Sequence, residues 1–385
     1  MPLGRFIILV IIVAISGFSQ GMLLPVIAII FEEQGVSSTI NGLHATGIYI
    51  GIFIASFFME EPLRKLGYKR IIVIGGLLVI VSLVGFVFIQ SILFWFILRL
   101  LIGVGDHMLH FSTQTWITSD TEEAKRGRTI SIYGLSFGLG FAAGPLLATF
   151  TNEHPHMPFM ICAFLSLVAW SLVFLLKNEF PEQSTEYASI SNTVGRFIQV
   201  IKIAWIALLP TLAYGFLEAS LNGNYPVYAL RTGLTSSDIA LILTSFSIGS
   251  IIFQIPLGMI SDKVGRKKII STITFLGSTL FFIASFLQSP LALIVCLALA
   301  GMAIGSIFSL GISFMADLVP RSLLPAGNLL SGISFSIGSI VGPFLGGMYI
   351  QFVPGGNFFH VISSILFLLF VTTMIHKQEK IQLHS

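Results

Sequence analysis

The chain has 385 residues, 55% of them hydrophobic and only 10% charged, with a mean hydropathy of +0.94 and a formal net charge of +3. Soluble domains carry roughly 25% charged residues, so this composition excludes a soluble enzyme and implies an integral membrane protein. No basic face or arm is visible, which argues against nucleic acid as a partner.

A spanning helix needs about 20 mostly apolar residues. Cutting at charges and turn signals predicts twelve, near 6–31, 38–59, 70–89, 92–118, 128–150, 157–177, 202–230, 237–260, 268–287, 291–317, 326–351 and 357–376. The first follows Arg5 and stays uncharged from Phe6 to Phe31. That is too long for a signal-peptide core and reads as a retained helix. Gln90-Ser91 and Gln288-Ser289-Pro290 break two tightly linked pairs, and Pro354-Gly355-Gly356-Asn357 breaks the last. Residues 178–201, polar in their first half, form the linker. The expected organisation is a six-helix bundle over 1–177, a linker over 178–201, a second bundle over 202–376 and a tail over 377–385. Cys162 and Cys296 lie inside apolar runs and read as free packing residues.

With the N-terminus inside, every Lys and Arg falls on a cytoplasmic segment except Arg231, on an outer loop, and Arg99, within a span. The positive-inside rule thus predicts a multi-pass protein of the cell membrane with both termini cytoplasmic. The halves are also repeats. Gly17-Phe18 recurs as Gly215-Phe216, a shift of 198 residues, and the same shift superposes Gly51 on Gly249, Gly103 on Gly301 and Gly144-Pro145 on Gly342-Pro343. A single offset from the first span to the eleventh implies a duplication with almost no insertions. Six spans per half put both halves in one orientation, with a central cleft between them.

Several motifs now carry a resemblance. Gly258-Met-Ile-Ser-Asp262-Lys263-Val-Gly265-Arg266-Lys267-Lys268 lies between the eighth and ninth spans. Arg99-x-x-x-Gly103-x-Gly105 lies in the fourth, Gly140-x-x-x-Gly144-Pro145 in the fifth and Gly338-x-x-x-Gly342-Pro343 in the eleventh. Together they resemble the signatures of the major facilitator superfamily. The last two are similar to the motif of its drug–proton antiporters. The resemblance implies an all-α membrane fold of twelve helices, arranged as two parallel six-helix repeats around a central cleft. It also implies secondary transport. Physically, glycines four apart let helices approach closely, and the following proline permits a bend. Asp262 is suited to accept hydrogen bonds from a helix N-terminus, and Arg266 is placed to pair with Asp317. The first half departs from the pattern: Glu60, Arg64 and Tyr68 stand where Gly258, Asp262 and Arg266 stand in the second. This loop is therefore expected to latch in one half only, unless Glu60 or Glu61 supplies the missing charge.

Transport driven by protons needs a group that changes protonation as access alternates. A carboxylate in a partly apolar cleft meets that need, because burial and a nearby arginine pull its affinity for protons in opposite directions. Two carboxylates lie mid-span, Asp106 and Glu218. Asp106 shares a helical stripe with Arg99, Gly103, His110 and Thr113, since each residue advances about 100°. Seven positions separate Arg99 from Asp106, roughly 10 Å of helix, too far for a tight direct pair. Glu218 shares a stripe with Tyr214, Asn222 and Tyr225 in a span broken by Gly223 and Pro226, and the repeat sets Gln20 opposite it. Each residue also has a structural reading, as a hydrogen-bonded group in a packed interior. No metal-ligand or phosphate-loop spacing appears, so neither metal nor cofactor is expected. The expected partners are a small-molecule substrate, protons and the bilayer, and the fold supports a monomer. The function expected is proton-driven export of a small amphiphilic or cationic organic compound. The alternatives are a proton-coupled nutrient importer and a lipid flippase or non-transporting sensor.

Overall fold

The computed structural model describes residues 2–181 and 190–376, and no strand occurs among them. The middle of the predicted linker and the tail 377–385, with Lys377 and Lys380, lie outside the described residues. In chain order the helices are α1 (Leu3–Glu33), α2 (Ser38–Ser56), α3 (Glu60–Leu66), α4 (Tyr68–Phe88), α5 (Ile92–Ser119) and α6 (Glu123–Ala143). They continue with α7 (Met157–Leu172), α8 (Ile190–Gly223), α9 (Tyr225–Arg231), α10 (Ser236–Val264) and α11 (Arg266–Ala284). The last four are α12 (Pro290–Ile304), α13 (Ile307–Leu318), α14 (Leu324–Phe352) and α15 (Phe358–Ile375).

By length and hydropathy these helices make 11 spans, or 12 when α2 and α3, bent by 65°, count as one. Proline accounts for two of the departures from straight helices. Pro145 cannot donate to the carbonyl four residues back, and the helix tightens into a 3-10 turn over Gly144–Phe150. The seventh predicted span is interrupted at Asn224, with Pro226 in the first turn of α9, where a missing N–H costs nothing. α8 starts at Ile190, inside the predicted linker, and kinks at Ala204 (φ −134°, ψ 24°).

The chain divides into two compact units, one holding Met1–Ser184 and Asn222–Thr244, the other Thr185–Leu221 and Ser245–Ser385. In the first unit, a β-carbon at Gly17 would collide with the Phe137 carbonyl, and one at Gly140 with the Ala14 carbonyl. In the second unit the same collisions pair Gly215 with Phe335 and Gly338 with Leu212. α2 and α5 meet likewise, through Gly51 on Leu100 and Gly103 on Ile48, and α10 and α12 through Gly249 on Ala298 and Gly301 on Phe246. Each partner is its counterpart shifted by 198 residues, so the duplication extends to which carbonyl each glycine meets. Close approach of this kind replaces the hydrophobic drive that helices lack in lipid. The turns into α4 and α11 match as well, with Gly67 at φ 81° and Gly265 at φ 99°. Just beyond each, a lysine ties the third span of its half to the end of the sixth. Lys69 Nζ donates to the Phe174 and Leu176 carbonyls at 3.0 and 2.6 Å, and Lys267 Nζ donates to the carbonyl of His376. Both cysteines are free and buried.

Candidate functional site

The charged stripe of α5 lies wholly inside the first unit. Arg99 and Asp106 are 1% and 0% exposed. Ions at that depth cost several kcal/mol unless partnered, and α1 supplies the partners. Its Ser16 hydroxyl donates to Asp106 Oδ1 at 2.8 Å. Arg99 Nη2 donates to the Leu23 carbonyl at 2.9 Å. No hydrogen bond joins Arg99 to Asp106 among the described residues; each is committed to a different turn of α1. Two groups of this stripe are left over: Arg99 Nε and Nη1, and Asp106 Oδ2, are buried with no hydrogen-bond partner among the described residues. Asp106 and Ser16 also line a small, mostly apolar cavity of ≈ 20 Å³ between α1, α4, α5 and α7.

From Ser16 a chain of polar contacts runs on. Its Oγ lies 3.1 Å from His110 Nε2, and His110 Nδ1 lies 2.7 Å from the Tyr133 hydroxyl on α6. Gln20 Nε2 lies 3.4 Å from both Ser16 Oγ and His110 Nε2. Phe137 stands edge-on to the His110 ring at 5.0 Å and fixes its plane. A single tyrosine in a glycine-rich span, Tyr133 carries no sequence pattern that marks it. The signal that points to it is the close approach of α1 and α6. These helices run side by side from Gly17 at Phe137 to Gly21 at Phe141, and Tyr133, one turn further back on α6, reaches Ser16 through His110.

In the second unit, α8 brings Tyr214 and Glu218 together by a side-chain hydrogen bond, four residues and one turn apart. The Tyr214 ring packs 6.1 Å from Phe308 and 6.2 Å from Phe335. The remaining members of that stripe, Asn222 and Tyr225, are 4% and 0% exposed and fall in the first unit, past the point where the chain crosses over.

The signature loop is built around Arg266. Its Nε lies 2.7 Å from Asp317 Oδ2, its Nη2 2.8 Å from Asp262 Oδ1, and its Nη1 donates to Ser261 Oγ at 3.3 Å. Gly258, unlike Gly140, Gly144, Gly338 and Gly342, has open space where a β-carbon would stand. In the first half the equivalent pair is Tyr68 and Ser119, whose hydroxyls lie 3.3 Å apart, with Tyr68 stacked on Trp116 at 5.2 Å. An aromatic stack has replaced the ion pair. The ionic contacts move next door: Arg5 pairs with Asp120 at 2.7 Å and with Glu179, which also accepts from Trp116 Nε1 at 2.9 Å. Glu60 and Glu61 are exposed, and Glu61 pairs with Lys65 at 2.6 Å. Arg231 on α9 grips Glu32 at the end of α1 through two bonds of 2.6 and 3.0 Å.

The family model of the Major Facilitator Superfamily matches residues 9–228 and again 207–381. The chain belongs to the Major Facilitator Superfamily. It is 55% identical over 373 residues to the uncharacterized MFS-type transporter YfkF of Bacillus subtilis, covering 97% of this chain and 95% of that one. It is 22% identical over 332 residues to the uncharacterized MFS-type transporter YcaD of Salmonella typhimurium, covering 85% and 84%. Among solved structures it is similar to the nucleoside transporter NupG, with a TM-score of 0.79 at 15% identity, covering 97% of this chain and 100% of that one. As a member of this superfamily it is a multi-pass membrane transporter and not an enzyme.

Proposed function

We propose that the chain is a secondary transporter that exports a small amphiphilic or cationic organic compound in exchange for protons. The observation that supports this reading is a carboxylate, Asp106, buried at mid-span with one oxygen bonded to Ser16, Gln20 close by, and the other oxygen without a hydrogen bond of good geometry among the described residues. A structural acid in lipid would be fully satisfied. A half-satisfied one is suited to exchange a proton for a cationic group of the substrate. Glu218, held by Tyr214 in the second unit, is the second coupling candidate. On this reading the two halves alternate access to the substrate. The basic residues mark the cytoplasmic side of a cell membrane, with both termini on it, and the transporter works as a monomer. The tight glycine contacts and prolines at the end of α6, in the 3-10 turn that follows it, and in α14 serve the bending, and Arg266 with Asp262 and Asp317 serves as the latch.

The test is a pH jump across sealed proteoliposomes loaded with candidate solutes, chosen by a resistance screen in a strain lacking its own pumps. Export predicts solute movement against the proton gradient. Movement with the gradient would establish an importer, and movement of labelled lipid alone a flippase. Glu218→Gln should abolish proton-coupled movement while the protein remains folded, and full coupling in that variant removes Glu218 from the mechanism.

A further inference from the structure

We infer that Asp106 exchanges its proton through a wire made of Ser16, His110 and Tyr133, with Tyr133 as the entry point. The inference rests on the proposed proton coupling and names the path by which it operates.

The geometry supports two complementary hydrogen-bond patterns. With Asp106 ionised, Ser16 donates to Oδ1 and must accept from His110 Nε2–H. That tautomer leaves Nδ1 an acceptor for the Tyr133 hydroxyl 2.7 Å away. Every donor then points toward Asp106. With Asp106 protonated, the carboxylic acid donates to Ser16, Ser16 donates to Nε2, and Nδ1–H donates to Tyr133. The Tyr133 hydroxyl then turns to the carbonyl of His110 or to Thr113 Oγ1, each 3.4 Å away. Thr113 can take that bond, because its own proton is given to the Leu109 carbonyl at 2.7 Å.

The two patterns differ by one proton, and the steps balance. A proton bonds to Tyr133 Oη as the Tyr133 O–H proton passes to Nδ1. The Nε2 proton passes to Ser16 Oγ, and the Ser16 proton passes to Asp106 Oδ1. Nothing is oxidised or reduced, and reversal returns the proton. Tyr133 is placed for entry. It is buried, at 8% exposed against 0% for Asp106, and lies nearer a helix end than Asp106 does. At 1.5 Å per residue it lies roughly 15 Å from the start of α6, whereas Asp106 lies roughly 20 Å from the end of α5 at the same face.

Few other charges compete for this path. On α5 itself, His107 stacks on Phe111 at 5.9 Å, and Arg99, two turns away beside His44 and Tyr49 of α2, is committed to Leu23. α1 faces the wire with the neutral Ser16 and Gln20, and α6 with Tyr133. Around the Asp106 cavity, α4 and α7 bring Gly76, Val79, Ser166 and Trp170, none of them ionisable in the working range.

The experiment is time-resolved infrared spectroscopy of the full-length protein in liposomes after an acid jump. The protonated-carboxyl band of Asp106 is assigned by its loss in Asp106→Asn. Tyr133→Phe should slow the appearance of that band by about 100-fold, the scale of a lost positioned proton-transfer group. Its final amplitude and midpoint should stay the same. A band that rises at the wild-type rate overturns the proposal. So does a changed midpoint at unchanged rate, which marks a structural role, and so does a band that appears at no pH where the protein stays folded. If Tyr133→Phe does not fold, His110→Gln carries the same expectation, since it keeps a polar side chain but cannot relay between two ring nitrogens. A wild-type protein that shows the fast band but moves no solute with protons would overturn the transport reading and leave the wire in place.

Discussion

Ser16 is the residue that makes Asp106 tolerable. A hydrogen bond to a buried charged group contributes about 1.5–3 kcal/mol, and Asp106 Oδ1 has this donor at 2.8 Å. Ser16→Ala should therefore lower the stability of the purified protein by about 2 kcal/mol, read as a fall in its thermal midpoint in detergent. Ser16→Thr, which keeps the hydroxyl, should restore most of that loss. Asp106→Asn should leave the fold intact, because the amide oxygen still accepts from Ser16, yet remove the pH dependence of solute movement in liposomes. A rate that still follows the proton gradient in that variant would falsify the coupling role of Asp106.

At the scale of the element, the glycines of α6 separate packing from ornament. Gly140 has no room for a β-carbon, because the Ala14 carbonyl of α1 occupies it. Gly134, on the same helix, meets nothing within 4 Å. Gly140→Leu should prevent α1 and α6 from docking, seen as loss of the monodisperse peak on size exclusion. Gly134→Ala should be neutral or raise the thermal midpoint, since alanine favours a helix by up to about 1 kcal/mol over glycine. The two signature loops differ in the same physical way. Arg266 bridges two carboxylates, while Tyr68 stacks on Trp116 and meets Ser119. Salt should loosen the first, because exposed ion pairs are screened, and leave the second alone. Hydrogen exchange at the α10–α11 junction should therefore rise with ionic strength more steeply than that in the first turn of α4.

For the whole molecule, the crossover of chain between the units carries the message. Asn222–Thr244 belongs by sequence to the second repeat, yet it packs with the first unit. Arg231 holds Glu32, and Ser236 donates to Asn152 at 3.0 Å. Glu32→Arg and Arg231→Glu should each destabilise this attachment, with the pair of substitutions recovering it. Double-mutant cycles on the thermal midpoint should return a coupling of about 1 kcal/mol, the scale of a partly exposed ion pair.

The sequence alone determined the class, the number of spans and the duplication. Apolar runs of spanning length have few alternatives in a bilayer, where every backbone group must be satisfied within a helix. A constant offset of glycines likewise survives only where helix spacing demands it. It also exposed Arg99, Asp106 and Glu218, because a charge in such a run stands out against hydrocarbon. What it could not show is which polar groups meet, since contact between helices depends on rotation about each axis and on neighbours far apart in the chain. Tyr133 reached His110, Arg231 reached Glu32, and Tyr68 replaced an arginine by stacking on Trp116 only through that packing. The tertiary structure therefore decided the partners of each charge, for the physical reason that in lipid a buried polar group is governed by whatever side chain the neighbouring helix turns toward it.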